Sequence, residues 1–408
     1  MKALVLCGGL PQIELIKNLK SRGITTVLAD YNEKCIARPF ADIFYPVSTL
    51  DVQGVKELAI NEKVDFVITV CADQVLLVMA EVSDALGLPC YIDFETAKNV
   101  SNKNFMKQIF VKNDVPTTKF VCLKEFDEDA ISHLKYPIIV KPVDSYSSRG
   151  VKKVKNIDEL KDAFDKAVNI SRTKTAIVEE FFEGSELTVD VYVEDGKANL
   201  LSVSELYKIP GNNKFVIHRL VHPAPVSEDV INKVKDTAQK IADGFNLKNT
   251  TMLIQLITDG KEISVVEFCA RTGGGVKFQF IKKVSGFDVV DAIVKLTLGE
   301  KPHVGELKKF DKMIVNEFLY CSEGVFSKIE GMDELLADGV ISDYSVFKSA
   351  GTKFADEINA SGDRIAYFSI EANDLDDARR RHKIANGKIK AISEDGKDII
   401  RHDLLDNL

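Results

Sequence analysis

The stretch from Met252 to Gly275, MLIQLITDGKEISVVEFCARTGGG, places polar groups at regular intervals inside two apolar, β-branched runs. Met252 to Thr258 and Glu262 to Phe268 have the composition of strands, and Asp259-Gly260 between them is a strong hairpin-turn signal. Gln255 falls on the first arm. Glu267, Cys269 and Arg271 alternate at the end of the second arm and therefore point to one face. An amide oxygen and a carboxylate beside a guanidinium suit a hard cation and the phosphates it neutralises. The competing reading is an ordinary hairpin with one face in solvent.

Around this hairpin the chain has the size of a multi-domain protein. Its 408 residues, 45% hydrophobic and 28% charged, exceed the roughly 250–300 residues that one core organises. A net charge of −8 and a pI near 5.5 argue against a nucleic-acid partner. The run Arg379-Arg380-Arg381-His382-Lys383 lies on one short predicted helix and reads as a solvated face. No apolar run reaches the ~20 residues that a bilayer crossing needs, so no membrane partner is expected. MKALVLCGGL reads as a first strand rather than a signal peptide. The seven cysteines are scattered, without a C-x-x-C pair or a mixed cluster with histidine, which points to a reducing cytoplasm and away from a zinc site.

Upstream of the hairpin, Lys2 to Leu6, Pro11 to Ser21 and Thr25 to Ala29 read as β-α-β. Val52 to Ile60, Asp65 to Val70 and Gln74 to Leu86 continue the alternation, which implies a parallel sheet with helices on both faces. Gly8-Gly9 lies where such a sheet binds ligands, but G-x-G-x-x-G is incomplete. The pair is either a tight turn or the border of a small-molecule site. A boundary falls near Glu95 to Ser101, and the next helix stops before Val115-Pro116. Tyr136 to Pro142 is an apolar strand that delivers Lys141, followed by a loop of small hydroxyl residues able to wrap phosphates or to serve as a plain polar hairpin. Thr175 to Phe182, TAIVEEFF, ends in two adjacent acids, and Asp229 to Phe245 is an amphipathic helix leading into the hairpin. From about Lys308 short strands alternate with helices, as in a small α+β domain.

In this order the pieces resemble the ATP-grasp superfamily, and within it the carboxylate–amine ligases related to L-amino-acid ligases and the carbamoyl-phosphate-synthase-like proteins. The resemblance spans nearly the whole chain. It rests on Asn102-Lys103 before a helix and Val115-Pro116, on Ile139-Val140-Lys141-Pro142, on the segment from Val178 to Glu186, and on Gln255 with Glu267-x-Cys269-x-Arg271. It implies an α/β and α+β multi-domain fold: a Rossmann-like pre-ATP-grasp domain at 1–97, a two-lobed ATP-grasp module with its small lobe at 98–175 and its large lobe at 176–307, and a small C-terminal α+β domain at 308–408.

The same resemblance implies that Lys103 and Lys141 contact the ATP phosphates and that Ser147 and Ser148 lie in a flexible phosphate loop. Glu179, with the backbone of Phe181 and Phe182, would meet the adenine edge, and Glu186 the ribose. Gln255 and Glu267 would hold one or two Mg2+ ions, with Mn2+ able to replace them. Arg271 and Lys141 would act on the transferred phosphoryl group. The implied reaction activates a small carboxylate as an acyl phosphate, couples it to an amine, and releases ADP and phosphate. Lys208, His218 and Arg219 are the polar candidates for the acceptor site. Relatives are commonly dimers, so a homodimer is expected. Two alternatives stay open, carboxyphosphate chemistry and a catalytically weak ATP-binding scaffold. Cys269 departs from the family's usual asparagine. A thiol is a poor ligand for Mg2+, so a water replaces the oxygen, the second ion is held weakly, or Cys269 is simply buried.

Overall fold

The computed structural model describes residues 1–145, 149–210, 215–406 and 408. Strands β1 (Lys2–Leu6), β2 (Thr25–Ala29), β3 (Ile43–Tyr45) and β4 (Phe66–Ile68) form a parallel sheet in the order β3-β2-β1-β4. The near-continuous apolar runs of β1, β2 and β4 are buried because crossover helices cover the sheet. Strand order reverses at β1, so the crevice beyond the carboxyl ends of β1 and β4 is the switch point at which such sheets take ligands. Cys7 and Cys71 follow these two strands with φ of 73° and 58°, a left-handed conformation uncommon outside glycine. Helices Leu10–Ser21 and Asp73–Leu86 start immediately after them.

Strands β5 (Phe120–Leu123), β6 (Ile138–Pro142), β7 (Lys152–Val154) and β8 (Ala176–Glu180) build a second sheet, antiparallel and ordered β5-β8-β6-β7. Helix Ile157–Ile170 packs on it through Leu160, Ala163, Phe164 and Ala167, forming a separate small core with Val140 and Val178. Asn156 caps this helix by accepting from Glu159 N–H at 2.9 Å, while the Glu159 carboxylate accepts from Lys155 N–H at 3.0 Å. Because β8 pairs with β5 and β6, this lobe extends to Glu180, beyond the boundary expected at 175. The boundary expected at 97 falls inside helix Phe94–Val100.

The rest of the chain supplies β9 (Ser185–Glu194), β10 (Lys197–Lys208), β11 (Ile217–His222), β12 (Thr250–Thr258), β13 (Ile263–Cys269), β14 (Met313–Leu319), β15 (Gly324–Glu330), β16 (Asp343–Val346), β17 (Lys353–Phe354), β18 (Ala366–Ala372) and β19 (Lys390–Ser393). Eight of them form one sheet in the order β13-β12-β9-β10-β11-β14-β18-β16, and β17-β15-β19 form a small sheet. The segment beyond 308 therefore shares its main sheet with the large lobe. Pairing of β14 with β11 covers what would otherwise be an open edge.

The opening hairpin is β12–β13, with Gln255 directly opposite Glu267. Gly184, at φ 156°, carries the chain from β8 to β9 across the hairpin turn, where a Cβ would stand 2.1 Å from the Thr258 carbonyl oxygen. No side chain larger than hydrogen fits there. Among the described residues no helix is long and apolar enough to cross a membrane.

Candidate active site

A cleft of about 610 Å3 lies between the small-lobe sheet, the β9–β12–β13 face of the large sheet and the switch point of the N-terminal sheet. Its inner wall is a buried charge triad. Glu179 stands opposite Ile139 on paired strands, so Lys141, two residues further along β6, lies diagonally across on the same face. Lys141 Nζ is 2.6 Å from Glu179 Oε1, and Lys107 Nζ is 2.7 Å from Oε2. Thr118 Oγ1 donates to Oε2 at 3.0 Å, and Lys107 donates to Thr117 Oγ1 at 2.5 Å. Burial opposes a charge on Glu179, but the two lysines outweigh it and hold its carboxyl down to about 2. The Glu179 side chain is thus committed to placing two ammoniums. At the expected adenine edge, Phe181 N–H donates to the Pro137 carbonyl, whereas Phe182 N–H has no backbone partner among the described residues.

The hairpin forms the facing wall. Gln255 Nε2 donates to Glu186 Oε1 at 3.1 Å, and Lys208 Nζ is 2.6 Å from Glu186 Oε2. Lys103 Nζ is 3.1 Å from Glu267 Oε2 and donates to the Ser145 carbonyl at 2.8 Å. Burial works against the Lys103 ammonium, but Glu267 more than offsets it, and its pKa lies above the ordinary lysine value. With Gln255 Nε2 spent on Glu186, its amide oxygen and the opposed Glu267 carboxylate are the hard donors available to a cation. Among the described residues no group of three His, Cys, Asp or Glu side chains could hold a metal on its own. The donor set therefore fits Mg2+ that arrives with phosphate oxygens and water completing its shell, rather than a caged ion.

At the inner end, Arg271 is 8% exposed. Its Nε donates to Asp73 Oδ1 at 2.6 Å, Nη2 pairs with Asp73 Oδ2, and Nη1 donates to the Thr272 carbonyl at 2.6 Å. Asp73 opens helix Asp73–Leu86 of the N-terminal domain, so this bidentate fork ties that domain to the hairpin. The Cys269 thiol also donates to Asp73. Burial first, and then the Asp73 charge, push the thiol pKa far above its usual range, so Cys269 is a neutral donor to Asp73.

The structure thus gathers Lys103, Lys141, Glu179, Phe181, Phe182, Glu186, Gln255, Glu267 and Arg271 around one cleft; Ser147 and Ser148 lie outside the described residues. Lys208 also lines it. Arg219 and His218, expected at the acceptor site, do not. Arg219 is buried in an ion pair with Glu317, its cross-strand partner, and Glu317 also meets His382 Nε2 at 2.9 Å. His218 and His222 have H-x-x-x-H spacing, but on a strand, where His222 Nδ1 lies 3.1 Å from the Val203 carbonyl. Sequence reasoning missed Asp73 and Lys107. Lys107 carried a usable signal, four residues beyond Lys103 on one helix face.

Two antiparallel sheets flank a cleft of lysines and carboxylates that the parallel N-terminal sheet closes at one end. Residues 134–279 match the family model of the ATP-grasp domain. Human mitochondrial carbamoyl-phosphate synthase [ammonia] is 22% identical over 316 residues, covering 74% of this chain and 20% of that protein. The formate-dependent phosphoribosylglycinamide formyltransferase of Ignicoccus hospitalis is 28% identical over 254 residues, 59% of this chain and 62% of that one. The chain thus spans about a fifth of the length of the mitochondrial synthases it matches.

Among solved structures, L-amino acid ligase from Bacillus licheniformis aligns with a TM-score of 0.80 at 19% identity, covering 96% of this chain and 98% of that one. The biotin carboxylase domain of the Hydrogenobacter thermophilus 2-oxoglutarate carboxylase, in complex with MgADP and bicarbonate, aligns with a TM-score of 0.80 at 15% identity, covering 99% and 92%. At these identities the likeness shows the fold. ATP-grasp enzymes use ATP with Mg2+.

Proposed function

We propose that this protein is an ATP-dependent ligase that activates a small carboxylate as an acyl phosphate and couples it to an amine, forming an amide and releasing ADP and phosphate. The observation that carries this reading is the Gln255–Glu267 donor pair facing Lys103 and Lys141, with Arg271 at the inner end of the same cleft. Lys103 and Lys141 hold the phosphates. Glu186 takes the ribose hydroxyls, a role a carboxylate performs with two acceptor oxygens, and Phe182 N–H faces the adenine edge. Gln255 and Glu267 would hold Mg2+, whose charge neutralises the phosphates.

The substrate carboxylate oxygen attacks the γ-phosphorus, and the bond from that phosphorus to the bridging oxygen breaks, releasing ADP. The amine nitrogen then attacks the acyl carbon, the carbon–oxygen bond to phosphate breaks, and nitrogen loses its proton. Arg271, fixed by Asp73, stabilises the charge on the transferred group. Positioning and charge stabilisation suffice for this transfer without a protein nucleophile. We assign the activity to the cytoplasm, as seven unbridged cysteines suit, and to a homodimer, the state named for the biotin carboxylase domain above.

The experiment measures ADP and phosphate release across amino acids and small carboxylates, with hydroxylamine added to trap an acyl phosphate as its hydroxamate. Substrate-stimulated ADP release with hydroxamate formation is expected. Tight ATP binding with no stimulation by any carboxylate would refute the ligase reading.

A further inference from the structure

The charges of the cleft do not all cancel in pairs, and the exception identifies a residue that acts on the nucleotide without touching it, an inference that rests on the part of the reading above in which Lys141 holds phosphates. Lys103 with Glu267, Lys208 with Glu186 and Arg271 with Asp73 are one-to-one pairs whose charges sum to zero. Glu179 instead faces two ammoniums, Lys107 at 2.7 Å and Lys141 at 2.6 Å, so the triad keeps one positive charge. Among the described residues of the cleft lining, acidic and basic side chains are equal in number. Without Lys107 that balance turns negative, and Glu179 cancels Lys141.

Lys107 lies on helix Lys103–Lys112 and is 1% exposed. Its ammonium is directed to Glu179 Oε2 and to Thr117 Oγ1. A ligand therefore meets its charge and not its donors. Burial, and to a smaller degree Lys141, lower the Lys107 pKa; the Glu179 carboxylate, itself held down to about 2, opposes that pull and keeps the ammonium. A buried charge is also screened far less than that of Arg149, which lines the cleft but is exposed.

We propose that Lys107 sets the affinity of the cleft for polyphosphates through its charge: it neutralises Glu179, which leaves the Lys141 ammonium to act on the nucleotide as an unbalanced cation.

The test measures AMP, ADP and ATP binding to the full chain by calorimetry at fixed salt, for the wild type, Lys107→Met and, as a second neutral variant, Lys107→Gln. Both variants leave Glu179 paired with Lys141, so no buried charge is orphaned, and urea denaturation reports their folding. ATP binding should weaken on the order of tenfold in both, ADP binding less and AMP binding least, because the lost term scales with the ligand's charge. Adding Glu179→Gln to Lys107→Met removes the surplus negative charge and should restore ATP affinity to within about threefold of wild type. A merely structural role predicts an equal loss for all three nucleotides and no recovery in the double variant. Either result would overturn the proposal, as would wild-type ATP affinity in both neutral variants. Because affinity alone is read, a wild type that binds ATP without carboxylate-stimulated turnover refutes the ligase reading and leaves this inference standing; a wild type that binds no nucleotide overturns both.

Discussion

Replacing Glu179 by glutamine leaves Lys107 and Lys141 side by side at the inner wall of the cleft without the charge that holds them. The Glu179 carboxyl lies at about 2 against an ordinary 4.5. Each tenfold change in proton affinity is worth ~1.36 kcal/mol, so the ionised carboxylate contributes about 3 kcal/mol to the folded state. Removing one member of a buried pair costs ~3–5 kcal/mol, and the retained amide oxygen places Glu179→Gln at the low end. Urea denaturation near neutral pH should therefore show a loss of about 3 kcal/mol. Because the folded pKa is depressed, this contribution is fully present above about 4.5 and is lost as pH falls through about 2. The gap between wild type and variant should then shrink by more than half from about pH 5 to about pH 3. A gap below about 1 kcal/mol at neutral pH, or one that does not narrow with acid, would refute the charge assignment.

Three further outcomes are expected. Glu267→Ala should lower ADP release by on the order of 10²-fold or more, by removing the carboxylate that opposes Gln255; wild-type turnover would take Glu267 out of the metal site. Arg271→Lys keeps the charge but loses the fork to Asp73, so kcat should fall by about 10²-fold with little change in ATP affinity. The reverse pattern would place Arg271 on the bound nucleotide rather than on the transferred group. Cys269, with its thiol pKa raised by burial and then by Asp73, should resist iodoacetamide in the native protein and react in urea, as mass spectrometry would show; rapid native labelling would mean that the thiol is not the neutral, Asp73-bonded donor described.

The hairpin was readable in advance because period-2 alternation and the Asp259-Gly260 turn both act locally, and together they set Gln255 against Glu267. The parallel sheet was readable for a similar reason, since strands buried on both faces must be continuously apolar. What failed was non-local. Asp73 and Arg271 are 198 residues apart in sequence, and no periodicity connects a helix-opening aspartate to a hairpin arginine. Arg219 looked like a substrate ligand because it borders a polar loop, but Glu317, 98 residues downstream, neutralises it across two paired strands. The same limit hid the continuity of the eight-stranded sheet. The patterns of β11 and β14 show that each is a strand, but not that their edges meet.

The pairing of charges in the cleft bears on how a highly charged ligand enters it. Lys103 is held by Glu267, Lys208 by Glu186, Arg271 by Asp73, and Lys107 with Lys141 by Glu179. Buried charges left unpaired would cost several kcal/mol each, so these pairs let the cleft persist without nucleotide. They also divide into two kinds. The Lys103–Glu267 and Lys208–Glu186 pairs join groups that the proposed ligand would separate: phosphate replaces Glu267 at Lys103, a cation replaces Lys103 at Glu267, and ribose hydroxyls replace Lys208 at Glu186. At Lys103 and Glu267 each broken contact is exchanged for one of the same sign; at Glu186 neutral hydroxyl donors replace the ammonium, and Lys208, whose side chain is 29% exposed, is left to solvent. The Glu179 triad and the Asp73–Arg271 fork have no such exchange, because both oxygens of each acid face cations that belong to the framework. They hold fixed the ammonium and guanidinium groups on which the proposed transfer would depend, and this is why the predicted damage from Glu179→Gln falls on stability and that from Arg271→Lys on turnover.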